Sequence, residues 1–566
     1  MTSFRVWAPE ARVVELELSG TRHPMRRLPD GWWESDATAA AGAGYRYVVD
    51  GTAMPDPRSP EQPEGVHGPS RAVDPGGFRW TDGGWRTPRL ATCVLYELHV
   101  GTFSPEGTFD GVIGRIDHLT ALGIDAIELM PVAEFAGGRG WGYDGVDLYA
   151  PHRAYGGPEG LRRLVNACHE RGLAVVLDVV YNHLGPEGNY LDRFGPYFTD
   201  RYSTPWGRAL NVDGPGAQPV RDHLIDNAIM WLRDYHIDGL RLDATHAIFD
   251  FSALHFLEEL SRRVDVEVGP DRWLIAESDR NDPRIITSRA HRGLGLDAQW
   301  ADDFHHAVHT VLTGERDGYY ADYGSVAQLA TALRRAYVYA GEHSPFRDRR
   351  QGRPHDLDGD RFVVCVQNHD QVGNRARGDR LCHLVSPGRS MIAAALLLCG
   401  PFVPLLFMGE EWAASTPFPF FSSHQDPHIA SATTEGRIRE FEAFGWRPEQ
   451  VPDPQAPSTF EAARLDWGER EDVGHRRMLD WYRGLLDLRR NRPELGAGGL
   501  GRVSVEHGAD WLVLRRGAVV LVCNWGAEPA ILPVSGSVLL ASEPGFQLRD
   551  WGLVVPAESA GLLAEA

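Results

Sequence analysis

The stretch Gly239-Leu240-Arg241-Leu242-Asp243-Ala244 is a short apolar run that carries an arginine and a carboxylate two residues apart. Alternation along a strand places residues i and i+2 on one face, so Arg241 and Asp243 are expected to point the same way. A neighbouring cation favours the ionised form of a carboxylate. The same pattern is typical of a buried salt bridge at a strand end, so this stretch alone leaves both interpretations open.

Three further stretches end in a similar way. Each is an apolar run suited to a strand buried on both faces, followed by acidic, amide or imidazole groups. Polar groups at the carboxyl ends of several strands are how a (β/α)8 barrel builds its site, so the pattern predicts that fold. The three stretches are Val175-Val176-Leu177-Asp178-Val179-Val180-Tyr181-Asn182-His183, Leu274-Ile275-Ala276-Glu277-Ser278 and Phe362-Val363-Val364-Cys365-Val366-Gln367-Asn368-His369-Asp370-Gln371.

The rest of the chain predicts a multidomain protein with a catalytic (β/α)8 TIM barrel over 89–496. Alternating patterns and turn signals predict an N-terminal β-sandwich over 1–88 and a C-terminal β-sandwich domain over 497–566. The remaining barrel strands are predicted at 94–100, 126–131, 296–300 and 403–408. Loop excursions from the barrel are predicted at about 184–216, 310–358 and 413–470, the last of them irregular. Helical spacing is found at 109–122, 161–171, 220–235, 250–260 and 476–490.

Composition excludes several classes of function. The chain has 57 basic and 78 acidic residues, a net charge of −21, which argues against nucleic acid or a membrane as partner and suits a neutral substrate. Every basic residue is arginine, so neither a lysine Schiff base nor a P-loop is possible. The six cysteines are scattered, and the first residues, Met1-Thr2-Ser3-Phe4-Arg5, lack the apolar region typical of a signal peptide, so a cytoplasmic protein is expected. The apolar segment 391–408 is broken by Gly400 and two prolines, and its pieces are too short to cross a bilayer.

Three carboxylates, Asp243, Glu277 and Asp370, end different predicted strands and should converge on one mouth of the barrel. Glycoside cleavage requires one carboxylate at the anomeric carbon and a second that protonates the leaving oxygen. Asp243 beside an arginine suits the ionised nucleophile, whereas Glu277, which follows two apolar residues, suits the protonated acid. Asp370 suits stabilisation of a flattened, oxocarbenium-like ring.

The run Asp302-Asp303-Phe304-His305-His306 raises the question of a metal site. Adjacent residues diverge on a helix, and this spacing matches no established ligand set. Hydrogen bonding to substrate at the barrel mouth is the favoured interpretation. No metal and no cofactor is therefore expected.

In order and placement, the stretches 178–183, 239–243, 276–278 and 368–371 resemble the four signature regions of the α-amylase family of glycoside hydrolases. The resemblance implies that Asp243 is the nucleophile, Glu277 the acid/base and Asp370 the transition-state stabiliser of a retaining enzyme. It further implies substrate contacts from Tyr143, Asn182, His183, Arg241, His246, Asp302, Asp303, His305, His306, His369, Gln371 and Asn374.

A closer resemblance is to the family members that hydrolyse the α-1,4 bond next to the terminal trehalose of malto-oligosyltrehalose. It implies malto-oligosyltrehalose and α-1,4-glucan oligosaccharides as partners. The N-terminal β-sandwich is expected to be like a carbohydrate-binding module, and the protein is expected to be a monomer or homodimer. The stretches that carry it are Gly65-Val66-His67-Gly68-Pro69-Ser70, Tyr96-Glu97-Leu98-His99-Val100-Gly101-Thr102-Phe103, Arg139-Gly140-Trp141-Gly142-Tyr143-Asp144-Gly145-Val146, Asp302-Asp303-Phe304-His305-His306 and Asn368-His369-Asp370-Gln371-Val372-Gly373-Asn374-Arg375.

Two alternatives remain at this stage. A glycogen branching enzyme shares the N-terminal module and the barrel, but usually has Ser-His-Asp-Glu where this chain has Asn368-His369-Asp370-Gln371. The two enzymes differ in whether water or a glucan hydroxyl attacks the glycosyl-enzyme, which spacing alone does not reveal. A non-catalytic glucan-binding protein is disfavoured because all three carboxylates are present.

Overall fold

The computed structural model describes residues 2–442 and 446–565. Residues 1, 443–445 and 566, which fall within the predicted ranges 1–88, 413–470 and 497–566, lie outside the described residues. The boundaries proposed between domains stay predictions.

The central part of the chain forms a closed barrel of eight parallel strands, each hydrogen-bonded to its neighbours in chain order. This confirms the fold predicted from the strand-end pattern. Every residue of these strands is buried, as expected when helices cover the outer face of a parallel sheet. The strands are Leu95–Leu98, Ala126–Leu129, Ala174–Val179, Gly239–Leu242, Trp273–Ala276, Ala298–Trp300, Phe362–Cys365 and Val403–Phe407.

The period of two along each strand decides what fills the barrel interior. Apolar side chains such as Leu95, Ala126 and Val176 pack together towards the amino ends of the strands. Two residues further on, the same faces carry charged groups, with Glu97 in register with Glu128 and Asp178 in register with Arg241. The interior therefore changes from apolar to charged towards the mouth at the carboxyl ends.

Helices pack around the barrel in the positions that a (β/α)8 fold requires. The helices are amphipathic and bury their apolar face, as in Gly157–Glu170, where Leu161, Leu164 and Val165 are fully buried. The longer helices are Gly157–Glu170, Ala217–Asp234, Phe256–Glu267, Asp302–Thr313, Val326–Arg335, Pro387–Cys399, Pro427–Glu442 and Val473–Asn491. Shorter ones are Val100–Phe103, Phe109–Ile113, Ile116–Leu122, His369–Gly373, Leu381–Leu384 and Pro457–Ala462.

Three predictions of where helices lie were wrong in detail, two for expected helices and one for a segment expected to be irregular. The helix expected at 109–122 is interrupted after Ile113, where Gly114 ends the first segment. The pattern at 250–260 becomes helical only from Phe256, because the Asp250 carboxylate accepts hydrogen bonds from the Ser252 and Phe256 amides and holds the preceding turn. The excursion 413–470, expected to be irregular, contains the helix Pro427–Glu442.

Antiparallel sheets flank the barrel at both ends of the chain. On the N-terminal side one sheet contains Thr2–Trp7, Arg26–Arg27 and Trp32–Ala39, and a second contains Val14–Leu18, Thr21–Pro24, Gly44–Val49, Thr52–Met54 and Ser70–Arg71. On the C-terminal side one sheet contains Val503–His507, Trp511–Arg516, Val519–Asn524, Ser537–Ala541 and Ser559–Ala564, and a second contains Ala530–Leu532, Gln547–Arg549 and Gly552–Val555.

Within the described residues, three small two-stranded antiparallel sheets lie in the loops of the barrel. The most extended pairs Phe198–Thr204 with Gly207–Leu210 and belongs to the predicted excursion 184–216. The others pair Ala133–Glu134 with Asp147–Pro151, and His343–Ser344 with Arg349–Arg350. No helix in the described part of the chain has the length and apolar character needed to cross a membrane.

Candidate active site

Arg241 lies at the centre of the charged mouth. Its side chain is fully buried, and its Nη1 donates to both oxygens of Asp178 at 2.9 and 2.8 Å and to Asp243 Oδ1 at 2.8 Å. Its Nη2 lies 2.9 Å from Glu277 Oε2, an ion-pair distance without hydrogen-bond geometry. One guanidinium group thus contacts two of the three predicted catalytic carboxylates.

Asp243 is held as a carboxylate by its surroundings. Besides Arg241, it accepts a hydrogen bond from Asn182, whose Nδ2 lies 2.7 Å from Asp243 Oδ2. Burial would raise the Asp243 pKa, but Arg241, His183 and the Asn182 hydrogen bond outweigh it, and the pKa lies below its ordinary value. An ionised carboxylate at this position can attack an electrophilic carbon.

Glu277 has the opposite environment. Burial raises its pKa well above the ordinary value, and the charges of Asp243 and Asp370 act in the same direction, opposed by Arg241. Its Oε2 accepts a hydrogen bond of 2.7 Å from the amide of Ala244, a residue in the left-handed region at φ 37°. Two neighbouring carboxyl groups whose pKa values are pushed apart can act as nucleophile and acid.

Asp370 lies in the first turn of the helix His369–Gly373, which Asn368 caps through its side chain. Its side chain is 38% exposed, whereas the Asp243 side chain is 10% exposed. It accepts a hydrogen bond of 3.3 Å from Asn374 and lies 3.5 Å from His369 Nε2. Asp370 is therefore the most open of the three carboxylates.

An aromatic wall closes one side of the carboxylates. Tyr143 donates a hydrogen bond of 2.5 Å from its hydroxyl to Asp178, and its ring stacks on His369 with centroids 5.1 Å apart. Trp141 packs edge-on against the same imidazole at 5.5 Å. Tyr143 therefore presents a ring beside the carboxylates, as a sugar-stacking platform would.

A cavity of about 350 Å³ opens beside Asp370 and Asp279. Burial and the charge of Asp370 raise the pKa of Asp302, which lies in this cavity, to about 7. Phe346 and Tyr319 expose 51% and 36% of their surface. Carboxylates, aromatic rings and a few polar groups in one concave site suit a hydroxyl-rich ligand. The lining consists of Asp279, Asn281, Asp302, Asp303, His306, Tyr319, Tyr323, Phe346, Arg347, Gln351, Asp370, Gln371 and Asn374.

Some residues predicted to bind substrate have their polar atoms engaged within the protein. The Asp303 carboxylate accepts hydrogen bonds from the Tyr323 hydroxyl at 2.7 Å and from the Val338 amide at 2.6 Å. Buried His305 contacts the Val366 carbonyl and the Tyr320 hydroxyl, both at 2.8 Å. Their predicted contacts with substrate stay predictions.

Other predicted contacts lie at the edges of the site. His183 forms a hydrogen bond with Asn182, and Trp206 stacks on its ring with centroids 4.9 Å apart. His246 lies 3.8 Å from Asp279, a cavity residue. Within residues 2–442 and 446–565, no group of three or more acidic, histidine or cysteine side chains is arranged to hold a metal ion.

Sequence reasoning missed part of the site. Tyr319, Tyr323, Phe346 and Arg347 belong to the excursion 310–358, for which no contact with the site was predicted. The sequence shows that these residues are aromatic or cationic. It does not show which part of the barrel mouth a long excursion of this kind contacts. Asp178 stood in a quoted stretch, yet its role as a partner of Arg241 appears only in the structure.

Comparison with known families places the chain among carbohydrate-active proteins. Residues 68–203 match the family described as alpha amylase, catalytic domain, and residues 498–562 match a domain of unknown function, DUF3459. The sequence is 49% identical over 556 residues to the malto-oligosyltrehalose trehalohydrolase of Mycobacterium tuberculosis, covering 96% of each chain. It is 54% identical over 501 residues to the enzyme of that name from Arthrobacter ramosus, covering 87% of each chain.

Two further comparisons bear on the alternatives. A Salmonella typhimurium protein of known crystal structure superposes with a TM-score of 0.92 at 39% identity, covering 100% of this chain and 97% of that one. A 1,4-alpha-glucan branching enzyme from Ralstonia nicotianae is 31% identical, but covers 52% of this chain and 45% of that one. The likeness to the branching enzyme is therefore partial, unlike the likeness to the trehalohydrolases.

Proposed function

The chain belongs to the malto-oligosyltrehalose trehalohydrolases of the alpha-amylase family, and we propose that Asp243, Glu277 and Asp370 carry out its hydrolysis. The bond cleaved is the α-1,4 bond next to the terminal trehalose, and the products are trehalose and a maltooligosaccharide. The observation that supports the proposal is the contact of Arg241 with both Asp243 and Glu277, next to a cavity lined by Asp279 and Asp370.

The reaction begins with attack by the ionised Asp243 on the anomeric carbon while Glu277 donates its proton to the departing oxygen. Arg241 contacts both carboxylates, which is consistent with the short separation that the retaining route requires, about 5 to 5.5 Å. Glu277 then accepts a proton from the water that releases the covalently bound sugar. Asp370, the most exposed of the three, contacts hydroxyls of the flattened ring.

The cavity supplies the specificity in this proposal. Trehalose is the leaving group, so it lies on the side of the acid Glu277, where Asp279 follows two residues later. Arg347 donates a hydrogen bond of 2.7 Å to Asp279, and Phe346 lines the same cavity, so both come from the excursion 310–358 to this side of the site. Aromatic rings suit the apolar faces of a sugar, and Asp302 suits its hydroxyls.

We expect Phe346→Ala to lower kcat/KM for maltotriosyltrehalose about tenfold, because a ring that contacts the departing disaccharide in the transition state contributes on the order of 1.4 kcal/mol. The matched control is Phe251→Ala, which removes an exposed phenylalanine that does not line the cavity. Steady-state kinetics on both variants make the comparison. Equal values for the two variants would contradict the placement of trehalose in this cavity.

The activity should depend on pH through two groups. The Asp243 pKa is lowered and the Glu277 pKa is raised, so kcat/KM falls at acidic pH as Asp243 gains a proton and at alkaline pH as Glu277 loses one. The alkaline limb should therefore be absent from the residual activity of Glu277→Gln. A pH profile of that variant with the same alkaline limb as the wild type would contradict the assignment of the acid.

Product analysis tests the proposed function as a whole. The purified protein is incubated with maltotriosyltrehalose, maltopentaose and amylose in parallel. Trehalose and maltotriose from the first, with little action on the others, support the proposal. New α-1,6 branches in amylose with inert maltotriosyltrehalose would favour the branching enzyme instead. A cytoplasmic location and a monomeric or dimeric state stay predictions.

A further inference from the structure

Glu97 lies beneath the site on the inner face of the first barrel strand and is 1% exposed. Both of its carboxylate oxygens accept hydrogen bonds from His369. The ring Nδ1 lies 2.5 Å from Oε1, and the backbone amide of His369 lies 3.0 Å from Oε2. With Glu97 as a carboxylate, which only accepts hydrogen bonds, Nδ1 of His369 carries the proton of this contact.

The other ring nitrogen of His369 also carries a proton, as the hydrogen bonds around Tyr143 require. The single hydroxyl proton of Tyr143 is donated to Asp178 at 2.5 Å. Both oxygens of Asp178 in turn accept from Arg241, which makes Asp178 the acceptor. The Tyr143 oxygen can then only accept from His369 Nε2, 2.7 Å away. His369 is therefore a donor through both nitrogens, which is the imidazolium form.

We propose that Glu97 is a positioning residue of the reaction, which keeps His369 as an imidazolium cation and fixes the ring so that Nε2 faces Asp370. The distance from His369 Nε2 to Asp370 Oδ1 is 3.5 Å. The imidazolium cation beside Asp370 offsets the repulsion between the Asp370 and Asp243 carboxylates. Both carboxylates must be ionised while Glu277 keeps its proton. The inference rests on the proposed catalytic roles of these three carboxylates.

The charged surroundings of His369 agree with this assignment. Burial lowers the His369 pKa, but the charges of Glu97 and Asp370 and the Glu97 hydrogen bond outweigh burial and raise it to about 10, with Arg241 opposing them. Burial raises the Asp178 pKa to about 6, so this group is ionised at neutral pH. The titratable and charged groups that face His369 and Glu97 are Glu128, Tyr143, Asp178, Arg241, Cys365, Asp370 and His99. Burial lowers the pKa of His99 to about 3 and raises the pKa values of Tyr143 and Cys365.

Glu128 provides a matched control. It lies beside Glu97 on the second strand, in register with it, and is also 1% exposed. Among the described residues its carboxyl oxygens have no hydrogen-bond partner, and burial raises its pKa well above the ordinary value. A carboxyl group without a hydrogen bond to His369 should be replaceable by an amide without effect on the imidazolium.

The first test is the pH dependence of kcat for Glu97→Gln on maltotriosyltrehalose. The amide nitrogen of glutamine is a donor and favours a neutral ring that accepts through Nδ1. We expect kcat close to the wild-type value at acidic pH and a fall of about tenfold for each pH unit above the lowered His369 pKa. Glu128→Gln should retain the wild-type profile. A loss by the same factor at every pH, or no change in the profile, would overturn the proposal.

The second test needs no substrate and so separates this inference from the proposed function. Ring ¹⁵N chemical shifts of labelled histidines are recorded at pH 7.5, with the His369 signals assigned by their absence from His369→Gln. Two protonated ring nitrogens in the wild type and in Glu128→Gln, and a neutral ring in Glu97→Gln, are expected. A neutral His369 ring in the wild type would refute the proposal even if the Glu97 variant failed to fold.

Discussion

Asp243→Asn is expected to lower kcat by about four orders of magnitude or more, because an amide is too weak a nucleophile to form the glycosyl-enzyme. Asparagine has nearly the shape of aspartate and keeps one oxygen to accept from Arg241, which lies 2.8 Å from the native carboxylate. Removal of a charge next to a buried guanidinium should leave the fold largely intact. Single-turnover assays with maltotriosyltrehalose measure the loss.

The matched control for this substitution is Asp297→Asn. Asp297 precedes the sixth barrel strand at the opposite end of the barrel, where it accepts a hydrogen bond from the Leu274 amide at 2.9 Å. Its variant should retain the wild-type kcat. Turnover by Asp243→Asn within a few fold of the control would show that another group attacks the anomeric carbon, and the proposed roles would have to be reassigned.

Glu277→Gln is expected to show the second largest loss, about a hundredfold to ten thousandfold in kcat. Glutamine keeps the contact with the Ala244 amide, which lies 2.7 Å from the native Oε2, but has no acidic proton for the departing oxygen. The loss should depend on the leaving group. A sugar fluoride needs little protonation, so formation of the covalent intermediate from α-maltotriosyl fluoride should be affected much less than cleavage of maltotriosyltrehalose.

The fluoride comparison distinguishes loss of acid catalysis from general damage to the site. Equal losses on the fluoride and on maltotriosyltrehalose would mean that Glu277 supports the site in another way. Intermediate formed from the fluoride should accumulate in Glu277→Gln, because the same residue activates water in the second step. Mass spectrometry of the denatured protein detects this adduct.

The barrel was predictable because its strands are buried on both faces and end in polar groups. Each predicted strand position, including the weakly marked one at 296–300, contains a strand of the closed barrel. The pair Arg241 and Asp243 also lies on one face, as the alternation required. Local periodicity and strand-end chemistry were sufficient for this part of the fold.

The remaining features depend on contacts between distant parts of the chain. Nothing in the sequence around Phe346 indicates that it reaches the loop after Glu277, and the fold of the excursion 310–358 decides this. The contact between the His305 ring and the Val366 carbonyl, 61 residues further along the chain, likewise appears only in the structure. Glu97 stood in a quoted stretch, but its contact with His369 joins residues 272 positions apart.

The most direct test of the account is an early-time ¹H NMR spectrum of the wild-type enzyme acting on maltotriosyltrehalose. It reports the bond that is cleaved and the anomer released before mutarotation. The account predicts trehalose together with maltotriose that appears first as the α-anomer, since double displacement through Asp243 retains configuration. Initial release of the β-anomer, or release of glucose instead of trehalose, would contradict it.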